Sequence, residues 1–110
     1  MIVYKKVMEA LDGIGVPVSA SFYDGNEDPY ITFQEIDQRG ALFGDGEEIL
    51  TSHIVQVDIW SKYSFGDLVY RVKERMKEAG FTRITEIDTF EKDTGIFHRA
   101  IRFRLTTTKP

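Results

Sequence analysis

The sequence predicts an α+β domain: a mainly antiparallel sheet with two helices packed on one face, in the order α-β-β-β-α-β-β. Residues 53–60 alternate apolar and polar side chains, as a strand with one buried face does. Residues 65–79 then repeat apolar side chains at helical spacing and form one apolar stripe. Such a strand and helix can bury their apolar sides together. The length of 110 residues suits one domain, and we expect residues 1–110 to form it.

The first elements follow from the same periodicities. Residues 2–12 repeat apolar side chains at helical spacing and predict the first helix, which Gly13 ends. Residues 16–23 alternate and predict a strand. The turn-forming residues 24–29 lead to a second strand, residues 30–36, and we expect these two strands to pair as a hairpin.

The later elements are a helix and a long hairpin. Ser64 followed by Asp67 resembles a capping box at the start of the second helix. The final hairpin is predicted from residues 81–105, and alternation places Ile84 and Phe90 on one face of its first strand. The last residues, 106–110, are expected to fray.

Residues 37–50 are interrupted by three glycines and predict an extended loop or arm. One interpretation is a long hairpin arm or a mobile connection between strands. The other is a binding arm, since long connections in compact domains are often functional. Leu42 and Phe43 are apolar for such a segment, so they are candidates for a contact with a partner.

The composition limits the classes of function. The net charge of −4 does not favour nucleic acid or an anionic membrane as a partner. The absence of cysteine excludes disulfides and zinc thiolate sites. No apolar run reaches the ~20 residues of a membrane span, and the N-terminus lacks the layout of a signal peptide, so a cytosolic location is expected.

No motif for catalysis or cofactor binding is found. His53 and His98 have no acidic residue or cysteine at ligand spacing, so we expect no metal. The acidic residues 45–48 lack the ligand spacing of a calcium loop. Nucleotide-binding and nucleophile motifs are also missing, so we expect no cofactor and no catalytic residue.

Two charged segments of opposite sign are candidates for an interface. The acidic candidates are Asp45, Glu47 and Glu48. The basic candidates are Arg99, Arg102 and Arg104, near Lys109. The arginines could pair within one molecule, for example with Glu86 or Asp88, or could contact an acidic segment of another subunit.

Several stretches resemble small tail proteins of long-tailed bacteriophages and prophages, in the tail-terminator or tail-completion group. These are residues 52–61 (SHIVQVDIWS) with the helix 68–80 and residues 81–83, residues 88–103 (DTFEKDTGIFHRAIRF), and residues 30–35 (YITFQE). The resemblance implies a non-enzymatic building block that forms a ring, of six copies in this family. Such a ring caps the tail tube, stops its growth and meets the head connector.

The partners implied by the resemblance are copies of the same chain, the tail tube and the head connector. The implied location is the host bacterial cytoplasm during assembly, then the virion tail. Two alternatives remain open at this point. The arginine strand could make the chain a nucleic-acid-binding module, and an unrecognised pocket could make it a small enzyme.

Overall fold

The computed structural model describes residues 2–108, which form two helices and a five-stranded sheet. The elements are α1 (Ile2–Ala10), β1 (Val18–Ala20), β2 (Tyr30–Gly44), β3 (Glu47–Ser61), α2 (Gly66–Glu78), β4 (Thr82–Glu91) and β5 (Ile96–Thr108). The α+β class and the order α-β-β-β-α-β-β are confirmed. Neither α1 nor α2 has the length and apolar character needed to cross a bilayer, and no other helix occurs in residues 2–108.

The strands lie in the order β1-β2-β3-β5-β4, and every neighbouring pair except β1–β2 is antiparallel. The predicted hairpin of β1 and β2 is wrong, because Val18 pairs in parallel with Ile31. The connection 21–29 is long enough to return to the starting end of the sheet. Asp28 anchors it there by accepting hydrogen bonds from the Ser61 hydroxyl, at 2.9 Å, and the Lys62 backbone N–H, at 3.0 Å.

The core lies between the sheet and the two helices. The predicted inward residues of β3 are fully buried, and Val57 pairs with Phe33 on one side and Ile101 on the other. We call this face the helix-covered face and the opposite one the open face. The core side chains are Val3, Val7, Leu11, Ile14, Ile31, Phe33, Val55, Val57, Ile59, Leu68, Val69, Val72, Met76, Phe81, Ile101, Phe103 and Leu105.

The end of α1 and the start of α2 differ from what the sequence predicts. α1 ends at Ala10, two residues before the predicted end, and Gly13 follows in the turn beyond it with a φ of 72°. The capping box is wrong: Phe65 is the N-cap residue and no side chain caps α2. Asp67 instead accepts a hydrogen bond from Arg71, one turn later, at 3.1 Å.

A bulge in β4 places Ile84 and Phe90 on opposite faces of the sheet, whereas the sequence predicts the same face for both. The register against β5 shifts between Arg83 and Thr85, so Ile84 is an extra residue. Phe90 pairs with Phe97 and lies on the helix-covered face, whereas Ile84 lies beside Arg102 on the open face. Strict alternation therefore gave the wrong side for Ile84.

The C-terminal end of β5 is paired rather than frayed as far as the structure describes it. Thr106, Thr107 and Thr108 pair with residues 50–52 of β3. Lys109 and Pro110, the remainder of the expected frayed tail, lie outside the described residues.

Candidate functional site

Residues 37–50 form the outer half of the β2–β3 hairpin, so this segment is a hairpin arm. The last described pair of β5 joins Thr108 to Leu50. Beyond that pair β2 and β3 contact only each other within the described sheet, and the molecule is 53 Å long but only 27 Å wide. Asp45 and Gly46 both have positive φ, which is the conformation of a tight two-residue hairpin turn. We call residues 41–49 the arm tip.

The arm tip is both apolar and acidic. Leu42, Phe43 and Ile49 have 48%, 61% and 45% of their surface exposed. Asp45 and Glu47 are exposed, and Glu48 is half-buried. Residues 40–52 contain no lysine or arginine. The predicted acidic candidates therefore lie beside three large exposed apolar side chains at the far end of the molecule.

Glycine shapes the arm tip. A Cβ atom at Gly40 would overlap the ring of Phe43, so this ring lies directly against the backbone of β2. The Glu48 carboxylate approaches the same position and also accepts a hydrogen bond from the Thr51 hydroxyl at 2.6 Å. Gly44 is similarly covered by the side chain of Ile49. These contacts hold the side chains of the arm tip in place.

The second candidate surface is on the open face. Here Arg102 and Arg104 lie with Ile36, Ile54 and Ile84 around a shallow depression of about 380 Å³. We call these five residues the basic patch. The Arg102 Nε donates to the uncharged Gln56 at 3.0 Å. Within residues 2–108 the Arg104 side chain has neither a hydrogen-bond nor an ion-pair partner, so both arginines keep their positive charge uncompensated there.

Arg99 does not belong to the basic patch. Side chains alternate along β5, so Arg99 lies on the helix-covered face while Arg102 and Arg104 lie on the open face. Arg99 binds Asp88 through two nitrogens, one of them at 2.7 Å, and reaches Glu86 at 3.0 Å. The three arginines are therefore split between two surfaces.

The pairing of Arg99 shifts the pKa values of the groups around it. Its hydrogen bond lowers the pKa of Asp88, and the same contact raises the pKa of Arg99. For Glu86, burial alone would raise the pKa, but hydrogen bonds from Lys73 and Arg83 outweigh it and the pKa is lowered.

The two histidines lie in separate hydrogen-bonded clusters. His98 stacks on Trp60 with ring centres 3.8 Å apart, and its Nε2 is 2.6 Å from the buried carboxylate of Asp58. The Nδ1 atom of His53 lies 2.5 Å from the Oε2 atom of Glu35. Sequence reasoning missed both partners, since each carboxylate lies on a different strand from its histidine. Only the strand order and register bring the two together. Within residues 2–108 no three acidic or histidine side chains converge as metal ligands would.

A groove of about 570 Å³ lies between the start of α2 and the β4–β5 turn. Its apolar lining includes Phe65, Phe90 and Phe97, and its charged lining is the ion pair of Asp88 with Arg99. An ion-paired carboxylate with a lowered pKa is a poor general acid or base near neutral pH. The groove offers a mainly apolar surface, with His98 and Ser64 also in its lining.

No protein-family model matches the chain, and no curated protein matches it. Among solved structures, the chain is similar to one chain of the structure described as "Virion of native gene transfer agent (GTA) particle". The two chains are 12% identical, with a TM-score of 0.65 over 97% of this chain and 92% of that chain. At this identity the likeness shows a shared fold.

Proposed function

We propose that this chain is a non-enzymatic structural protein of a phage-like virion, acting through contacts with other proteins. The observation that carries the proposal is the likeness to a chain of a gene transfer agent virion over 97% of this chain and 92% of that one. A match of this extent spans the helices, the sheet and the arm alike. The independent resemblance of residues 52–61 and 88–103 to phage tail proteins points to the same class.

More specifically, we propose a tail-terminator role. Copies of the chain form a ring, of six subunits in the family it resembles, that caps the tail tube and meets the head connector. The ring assembles in the host cytoplasm and remains in the virion tail. Two surfaces of different chemistry, the arm tip and the basic patch, support this role because a ring needs a patch on one copy that meets a different patch on the next.

The contacts of the titratable side chains support a non-catalytic role. Asp88 and Glu86 are bound to arginine and lysine side chains, and both have lowered pKa values. His98 is stacked on Trp60 and hydrogen-bonded to Asp58. Each group is engaged in holding strands together, where a catalyst needs groups poised toward a substrate.

Nucleic-acid binding is the second candidate function, because Arg102 and Arg104 share the open face with Tyr30 and Trp60. These aromatic rings already pack against other rings of the chain, which limits stacking on bases. Trp60 stacks on His98, and the ring centres of Tyr30 and Tyr23 are 4.8 Å apart. The net charge of −4 also opposes binding to phosphates. Protein partners are therefore favoured.

The proposal is tested by deleting the gene from the phage or prophage that carries it and imaging the particles by electron microscopy. We expect tails of irregular length or heads without tails, and restoration of uniform tails by the wild-type gene. A catalytic or regulatory protein would leave the tails of finished particles normal. Normal tail length and joining in the deletion strain would contradict the terminator role.

A further inference from the structure

We propose that the arm tip of one copy docks on the basic patch of the next copy, head to tail. This inference rests on the proposed function only in requiring self-association. It adds the two surfaces that meet and the direction of the contact. The partner of each surface is thus a second copy of this chain.

The chemistry of the two surfaces is complementary. The arm tip presents Leu42 and Phe43 with the carboxylates of Asp45 and Glu47, and it carries no basic residue. The basic patch presents the guanidinium groups of Arg102 and Arg104 among three isoleucines. Apolar side chains can thus be buried at the centre of the contact while opposite charges pair at its rim.

The basic patch is available for this contact. Among residues 2–108 no helix covers the open face at this position, and 38% of the Ile36 surface and 43% of the Ile84 surface are exposed. The neighbouring Arg39 is already paired with Asp37 at 2.7 Å, so the acidic group nearby is neutralised. Arg102 and Arg104 therefore remain to attract an acidic partner.

The arm tip cannot reach the basic patch of its own chain. Ile54 lies in the basic patch on β3, and Gly46 lies in the turn directly before that strand. Eight residues of strand at about 3.3 Å each place them roughly 26 Å apart. β2 and β3 stay paired from the basic patch to the turn, with register shifts at Glu35/Asp37, Gly40/Leu42 and Leu42/Phe43, so the hairpin extends away from its own patch. The contact is therefore made between molecules.

The charges also select which surfaces meet. Two arm tips would bring six carboxylates together, and two basic patches would bring four guanidinium groups together. Both symmetric arrangements are repulsive, whereas arm tip to basic patch is attractive. A contact between unlike patches either is made twice in a reciprocal two-fold dimer or repeats from copy to copy into a ring or filament. The ring of the proposed function requires the second, head-to-tail arrangement.

Cysteine cross-linking tests the docking directly, because the natural chain has no cysteine. Leu42→Cys protein is mixed with Ile84→Cys protein carrying a size tag, and the mixture is oxidised. We expect mixed disulfide dimers, since a disulfide needs Cα atoms within about 7 Å. Tyr63→Cys, exposed at the opposite end of the molecule, is the control and should not cross-link to Leu42→Cys. Absence of mixed dimers, or dimers formed by Leu42→Cys alone, would overturn the proposal.

Charge reversal gives a second, independent test. Arg104→Glu and Glu47→Arg should each weaken self-association, measured by sedimentation velocity, by about tenfold or more. Mixing the two variants should recover most of the loss, because the reversed tip then meets the reversed patch. Lys92→Glu and Asp93→Arg, both exposed in the β4–β5 turn, are matched controls expected to change association less than about twofold.

The outcomes separate this proposal from the proposed function. Self-association that persists in both reversal variants, with uniform tails restored by each, would refute the docking and leave the virion role standing. A chain that stays monomeric at all concentrations would refute the docking outright. Binding of the wild type to a DNA duplex that is lost in Arg104→Glu would reassign the basic patch to nucleic acid.

Discussion

Val57→Asp is the substitution that tests the arrangement of the core most severely. Val57 has no exposed surface and lies at the centre of β3, between Phe33 on β2 and Ile101 on β5. Losing the buried valine costs about 1.5–3 kcal/mol. Burying a carboxyl group without a hydrogen-bond partner adds about 2–7 kcal/mol. The sum is roughly 3.5–10 kcal/mol. It is comparable to the whole free energy of unfolding of a typical domain, which is ~5–15 kcal/mol.

We therefore expect Val57→Asp protein to be unfolded at neutral pH and room temperature, as read by far-UV circular dichroism and Trp60 fluorescence. Val57→Ala should remain folded, with a loss of about 1.6 kcal/mol or more from two missing methyl groups. Ser52→Asp, on the open face of the same strand beside Arg39, should change stability by less than about 0.5 kcal/mol. A cooperative melt of Val57→Asp within a few degrees of the parent would refute the assignment of the faces of β3.

Two further predictions concern the ion pairs and the arm. Because the folded-state pKa of Glu86 is lowered, its contribution is present above about pH 5 and is lost as the pH falls through that lowered value. The melting temperature should therefore fall on acidification, and less steeply in Glu86→Gln than in the exposed control Glu78→Gln; equal slopes would contradict the role of the Glu86 ion pairs. Gly40→Val should displace the ring of Phe43 and speed chymotrypsin cleavage after Phe43, because a Cβ atom at Gly40 overlaps that ring. The neighbouring control Ala41→Val should leave the cleavage rate unchanged. Equal cleavage rates in the two variants would show that the position of the ring does not depend on Gly40.

The order of the elements could be predicted because each strongly patterned segment carries its own period. Val55, Val57 and Ile59 alternate with polar residues, and the structure buries all three. The parallel pairing of β1 is accompanied by the hydrogen bond from Ser61 to Asp28, a contact between residues far apart in the sequence. Periodicity describes one segment at a time, so it carries no information about such a contact.

The candidate site shows the same division. Sequence reasoning predicted an extended loop or arm over residues 37–50 and did not place the tight turn at Asp45 and Gly46, although Asp-Gly is a common hairpin turn. It also grouped Arg99 with Arg104, although an odd and an even position face opposite sides of a strand. Sequence reasoning named Asp88 as a candidate partner of the arginines, but which arginine it binds depends on the register of β4, which the bulge at Ile84 shifts by one residue. That bulge has no signature in the sequence.

Cryo-electron microscopy of the particles made by the phage or prophage that carries this gene tests the central claim most directly. We expect a ring of copies of this chain at the head-proximal end of the tail tube, with each arm tip seated on the basic patch of the neighbouring copy. Particles in which another protein occupies that position and this chain is absent from the virion would contradict the account.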